Sequence, residues 1–200
     1  MSLTIRRAVH GATAIACLFL MSGNLGANGA LRVTTGEVSI NCPLTVGGSF
    51  EAKTSAVTGE LAVASGPQEP LKGELSVDLQ KLQTGIGLRD RHMKDNYLEV
   101  KRGDGFAAAR LQDIKVDALE GKTTFRGVLL LHGQRRAVSG TAHIKPNGDG
   151  YRVEASFPVR ISEFEIPDPT YLGVGVKDQV QVRVNFSVAP ASSAPTAASR

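Results

Sequence analysis

The sequence predicts an all-β protein: eight or nine antiparallel strands, spaced so closely that the sheet must close on itself or stack. Three observations predict it. Apolar residues recur at every second position along most of the chain, the period of a half-buried strand. Turn-forming Gly, Pro and Asn residues separate these runs, and helix-period segments are nearly absent. An alternating run over residues 71–79 hands over to a long, highly charged connection. Hairpin connections normally take about two to five residues, so this one reads as a lid or mouth over a cavity, ahead of a further β-type segment at residues 97–100.

In chain order, Arg6 and Arg7 precede an apolar run over 12–21, small residues follow, and the first acidic side chain is Glu37. This is the pattern of a secretory signal peptide, assigned to residues 1–29. The run is short against the roughly 20 apolar residues a membrane span needs, so export to the periplasm is expected over an uncleaved anchor. Without Arg6 and Arg7, 21 basic side chains face 19 acidic ones, and a net charge of +2 gives no reason to expect nucleic acid as a partner. Residues 30–188 have the size of one domain. Residues 189–200, rich in Ala, Pro and Ser, read as a flexible tail. Cys42 is the one cysteine after the leader, so no internal disulfide is expected; it shares its parity with Ile40 and Leu44, which favours a buried thiol.

The strands follow from parity. Val57, Gly59, Leu61 and Val63 alternate with Thr58, Glu60 and Ala62, and Leu71, Gly73, Leu75, Val77 and Leu79 alternate with polar neighbours. Phe125, Gly127, Leu129 and Leu131 alternate within 122–132, and Val138, Gly140, Ala142 and Ile144 come next. The longest runs are Tyr151 to Ile161 and Val180 to Val188. Gly133 with Gln134, and the Pro146–Gly150 stretch, supply turns. Closure into an eight-stranded barrel removes exposed edges and encloses a space that side chains either fill or leave for one ligand. Many of the inward positions are Gly, Ala or Val, aromatics are 5% of the chain and Trp is absent. Small apolar walls favour an elongated dry cavity; a β-sandwich with a packed core is the alternative.

The connection itself carries Thr84-Gly85, then Arg89-Asp90-Arg91-His92-Met93, then Tyr97-Leu98. This order resembles the YceI-like family of periplasmic lipid-binding proteins, whose members share a Leu-x-Thr-Gly segment, Arg-Asp-x-His-Met/Leu and an aromatic-Leu pair. Residues 131–138 look like the family's Leu-x-x-Gly-x-x-Lys/Arg-x-Val element, and 164–184 like its Phe-x-Ile turn and Val-rich closing strand. The likeness runs from about Gly36 to Val188. It departs from the pattern at the first strand, where Ser39 stands without a His, and at the hairpin, where Leu130, His132, Arg135 and Arg136 replace the usual Thr residues. The resemblance implies an eight-stranded lipocalin-like barrel with a short helical or loop lid. It also implies a bound polyisoprenoid, such as a quinone or prenyl tail, and no other cofactor.

Carried onto this chain, the implied ligand would meet the inward candidates Leu61, Val77 and Leu129, and likewise Val153, Phe157, Val182 and Phe186; each fits ordinary core equally well. Arg89 and His92 are candidates to orient a headgroup, since Arg binds phosphate or carboxylate bidentately. The structural alternative is lid docking, with Asp90 and Lys94 spaced as a helix-stabilising i, i+4 pair. Met93 and Tyr97 lie one turn apart and would close over the tail. His132, Arg135 and Arg136 form a basic turn, read as a solvated hairpin tip or as a transient contact for a membrane surface. Catalysis finds little support: His92, His132 and His143 lack metal-ligand spacing, and no Gly-x-Ser-x-Gly elbow occurs. The readings left are a periplasmic lipid carrier and a packed, non-enzymatic interaction module.

Overall fold

The computed structural model describes residues 30–62, 71–171 and 173–191. The expected signal peptide (residues 1–29), Val63 and residues 192–200 of the expected tail lie outside the described residues. The chain runs β1 (Ala30–Pro43), β2 (Ser49–Thr54), β3 (Val57–Ala62), β4 (Leu71–Asp78), α1 (Gly87–His92), α2 (Asp104–Ala107) and β5 (Ala108–Val116). It continues through β6 (Gly121–Leu131), β7 (Gln134–Asn147), β8 (Gly150–Arg160), β9 (Thr170–Tyr171), β10 (Val174–Gly175) and β11 (Gln179–Pro190).

Neighbouring strands pair antiparallel in the order β11-β8-β7-β6-β5-β4-β3-β1, and β1 pairs again with β11. That last pairing closes an eight-stranded barrel, as the parity of the sequence and the family resemblance led us to expect. Its register runs from Leu31 opposite Pro190 to Asn41 opposite Gln181, so Ala189 and Pro190 belong to the last strand and not to the tail. β1 serves two partners along its other edge: residues 30–32 meet β3 and 38–43 meet β2. The small β9–β10 hairpin stands apart from the barrel sheet and touches its rim through Thr45, whose amide donates to Gly175 O at 2.9 Å.

Interior residues follow the predicted parity, with one physical elaboration. In β5 the inward set passes from Ala109 and Leu111 to Ile114 and Val116, because a bulge interrupts the register between Gln112 and Lys115 and puts Asp113 at φ 52°. β1 changes phase in the same way between Val33 and Thr35. Bulges bend strands and increase their twist, which a closed barrel of this size requires.

The glycines at inward parity do a different task from the one expected. Their contribution is close approach of strands, not cavity space. At Gly73 (φ 130°) a Cβ would run into the carbonyl of Glu60 across the sheet, and at Gly140 into that of Ser156. Gly73→Ala is therefore expected to destabilise the barrel by about 2 kcal/mol or more, read as a lower midpoint in urea with an unchanged slope. A midpoint equal to that of the natural protein would show that β3 and β4 are not held this tightly.

Candidate functional site

One end of the barrel holds an apolar chamber of about 490 Å³. Its walls come from the upper halves of nearly every strand: Val38, Ile40 and Cys42 of β1, Val77 of β4, Leu129 and Leu131 of β6, Phe157 and Val159 of β8, Val180 and Val182 of β11. Several inward side chains, among them Ile40, Val77, Leu111, Val182 and Val184, are only half-buried although they point into the barrel. A packed core would leave such residues almost without accessible surface. Here they face a void, and the interior is hollow at this end.

The connection after β4 covers the chamber. Leu79 and Leu82 anchor its start, each 4% exposed or less, and Lys53 and Gln83 exchange two backbone hydrogen bonds that pin it to β2. α1 then rises over the mouth and widens into a π-helical turn at Met93–Tyr97, where Leu98 N–H donates to Met93 O at 2.8 Å. Such wide turns interrupt the helical ladder and are frequent at functional sites. This turn brings Met93 and Tyr97 onto the chamber, and the Tyr97 hydroxyl donates to Thr170 O at 3.0 Å, across to the β9 side of the rim. Residues 97–100 are the end of this turn and not a β segment; the next strand begins only at Ala108.

The charged signature of the lid is largely turned on the lid itself. Asp90 Oδ1 accepts from the Thr84 amide at 2.6 Å and from its hydroxyl, so Asp90 closes the loop before α1 in place of the expected pairing with Lys94. Arg89 donates through Nε to Thr84 Oγ1 at 2.8 Å and through Nη2 to Thr84 O at 2.9 Å. Its guanidinium also lies 4.1 Å from the centroid of the Phe50 ring, a cation–π contact that fastens the lid to β2. Arg89 and His92 both line the chamber, which puts a polar edge at the mouth of an otherwise hydrocarbon-lined space.

A second fastening lies at the far side. His132 and Gly133, both at positive φ, form the two-residue turn between β6 and β7, the mirror-image geometry favoured in hairpins. His132 is 6% exposed, so it is not part of a solvated tip. Its Nδ1–H donates to Phe164 O at 3.0 Å, and its Nε2 lies 3.1 Å from Glu99. Arg102 donates to the same Glu99 oxygen at 2.9 Å, and the Phe106 ring meets the imidazole edge-on with centroids 4.7 Å apart. The hairpin, the end of the lid and the Ile161–Phe164 turn are thereby tied at one point. Arg135 and Arg136 reach away from it: Arg135 donates weakly to Gln112 and Arg136 to its own neighbour's carbonyl.

Of the residues selected from sequence, Val77, Arg89, His92, Met93, Tyr97, Leu129, Phe157 and Val182 surround the main chamber. Leu61, Val153 and Phe186 line a smaller apolar space at the opposite end, which Phe157 also borders. Sequence reasoning passed over Phe50, Leu82, Ile86, Leu88, Ile166 and Val176, all on the main chamber. Val159, Val180 and Leu131 were legible, because they share parity with Phe157, Val182 and Leu129. A broader and more open concavity of about 970 Å³ is walled by Thr123, Thr141, His143, Glu154, Ser156 and Arg183 together with Ala142, Ala155 and Val184. Among the described residues no three His, Cys, Asp or Glu side chains gather as a metal site.

A closed barrel with a hollow apolar end and a fastened lid defines a class of protein, one built around an interior compartment. The YceI-like domain matches residues 18–188, and the chain belongs to that family. Its fold is similar to that of Burkholderia cenocepacia BcnA (TM-score 0.62, 15% identity, 76% of this chain and 95% of that one). It is also similar to a Saccharophagus degradans structure described as a polyisoprenoid binding domain implicated in plant cell wall breakdown (TM-score 0.61, 13% identity, 81% of this chain and 99% of that one). At these identities the likeness establishes the fold. No curated protein matches the chain.

Two outcomes follow from this geometry. Asp90→Ala removes the acceptor that orders the start of the lid; amide exchange over residues 84–98 is expected to accelerate by tenfold or more, with the barrel strands unaffected. Uniform acceleration across the barrel would contradict the assignment. Burial pushes the Cys42 thiol up to about 11, with the Arg89 charge opposing. The thiol is thus protonated at neutral pH, and its alkylation by iodoacetamide at pH 8 should run on the order of a hundredfold slower than a free cysteine's and speed up as the pH approaches 11. Rapid labelling at pH 8 would place Cys42 outside the chamber.

Proposed function

We propose that this protein is a periplasmic, non-enzymatic carrier that holds a long-chain apolar lipid, of the isoprenoid kind, inside the barrel for transport, storage or sequestration. The observation that carries this reading is the hollow chamber: about 490 Å³ of hydrocarbon-lined space, within the size range of small-molecule sites. Filling it with a hydrocarbon tail removes apolar area from water on both sides at about 25 cal/mol per Å². The S. degradans relative, described as a polyisoprenoid binding domain, supports the isoprenoid class, and the leader-like residues 1–29 support the periplasm. The alternative, an interaction module with a solid interior, does not account for the half-exposed inward residues.

In this reading the tail lies against Val77, Leu129, Phe157 and Val182, with Met93 and Tyr97 above it. His92 and Arg89 stand nearest the headgroup. Arg89 commits two of its five N–H donors to Thr84, so it holds the lid and keeps the rest of its fork at the mouth. Exchange would take place at a membrane surface. Of the four large apolar residues that stand exposed among the described residues, Ile86 and Leu88 line the chamber's mouth, and Arg91 of the same helix segment is exposed too. An apolar rim with cationic flanks suits brief contact with an anionic bilayer.

Native mass spectrometry of the mature protein from its own host is expected to show the polypeptide with an added lipid mass that organic solvent extracts. A bare polypeptide mass, with no uptake of added farnesol or geranylgeraniol, would overturn the carrier reading.

A further inference from the structure

Two apolar spaces lie along the barrel, not one. The chamber under the lid measures about 490 Å³ and the space beyond it about 90 Å³. Four residues border both: Leu75, Leu111, Phe157 and Val184. They lie near one another in the register, with Val184 two residues along β11 from Val182, the partner of Phe157. Leu75 is paired directly with Leu111. On β11, Val180 and Val182 face the first space, Phe186 and Val188 the second, and Val184 stands between them.

Phe157 is the bulkiest member of this ring, and it is held in place. It is 5% exposed, and the Phe125 ring meets it edge-on with centroids 5.5 Å apart at 88°. Gly140 permits the pair to sit so close to β7: a Cβ there would stand 2.7 Å from Phe157 Cβ and 2.9 Å from the Phe125 ring. The ring is therefore a braced partition, with Phe125 as its support on the far side.

We propose that this waist is a length gauge: it stops a hydrocarbon tail at the floor of the upper chamber and so sets the chain length the protein binds best. The inference rests on the carrier reading and adds the residues that determine its selectivity. Each additional methylene that finds apolar cover strengthens binding by about fourfold. A tail that has reached the waist gains nothing from further carbons, because they remain outside the mouth. Leu61, Val153 and Phe186, beyond the waist, are then reached only if it opens.

The test uses the mature protein and the prenols farnesol, geranylgeraniol and solanesol, with affinities from equilibrium dialysis. For the natural protein the affinity should level off within the series. Phe157→Leu and Leu111→Ala widen the waist by different routes, and each should raise the ratio of long-chain to short-chain affinity by about tenfold. Adding Ala155→Leu, which fills the lower space, to Phe157→Leu should bring the ratio back. If both single variants fold cooperatively and keep the natural ratio, or if the natural protein shows no levelling, the gauge is wrong while the carrier reading stands. If the natural protein binds none of the three, the carrier reading itself fails. Leu111→Ala keeps the test decisive should Phe157→Leu not fold.

Discussion

The pairing of β1 with β11 is the constraint on which the rest of the structure depends. An open eight-stranded sheet could fold over and fill its own interior. Once the two ends are joined, the number of strands sets the radius, and the volume inside no longer adjusts to the side chains available. Whether the barrel is solid or hollow then depends on residue size alone. At the lower end Phe125, Phe157, Phe186 and Tyr151 line one space and only about 90 Å³ remains. At the upper end the inward residues are mainly Val, Leu, Ile and Ala. They are too small to meet across the axis, and a chamber results. The wall does not depend on their meeting, because each of the eight barrel strands has a backbone partner on both sides.

A chamber of this kind needs a cover that is fixed yet not part of the wall. The lid obtains this by using its polar residues on itself and on the rim. Thr84 is bonded by both Arg89 and Asp90, and Glu99 by both His132 and Arg102. These two knots lie at opposite ends of the covering segment. α1 and the π-helical turn have no fully buried residue, and their attachment to the rim is through Arg89 on the Phe50 ring and the Tyr97 hydroxyl on Thr170 O. Segments with few buried apolar contacts open at low free energy, so the cover depends on these polar and ring contacts to stay over the mouth.

How far the sequence discloses this arrangement follows from what a two-residue period can carry. Strands β3, β6, β8 and β11 hold one phase over their whole length, as β4 does from Gly73 on, and their inward residues are legible one by one. β5 is not, because the bulge at Asp113 shifts the inward set from odd to even numbers, and the averaged pattern cancels. β2 carries only Phe50 and Ala52 as inward apolar residues, too short a signal for a strand, and with it the Phe50 contact to Arg89 is lost to view. His132 is instructive in another way. As a polar residue beside Gly133 it has the chemistry of an exposed turn, yet the partners that bury it, Glu99, Phe106 and Phe164, lie 33, 26 and 32 positions away. Their meeting is a product of the closed topology, and no local pattern announces it.

The same separation of tasks governs what the site can discriminate. A protein that distinguishes ligands by their polar ends needs buried donors or acceptors left free for the purpose, since an unpaired group makes the wrong ligand unfavourable. Here the guanidinium at the mouth is bonded to Thr84 and stacked on Phe50, and the walls below are hydrocarbon. Apolar contact is non-directional and scales with the area covered. Selectivity can then come from shape: the width of the chamber, and the depth at which Leu75, Leu111, Phe157 and Val184 end it. Fastening the lid with Arg89 and recognising an occupant by its length fit one arrangement, because the Nε and Nη2 donors bonded to Thr84 are withdrawn from headgroup recognition and the walls below offer only area.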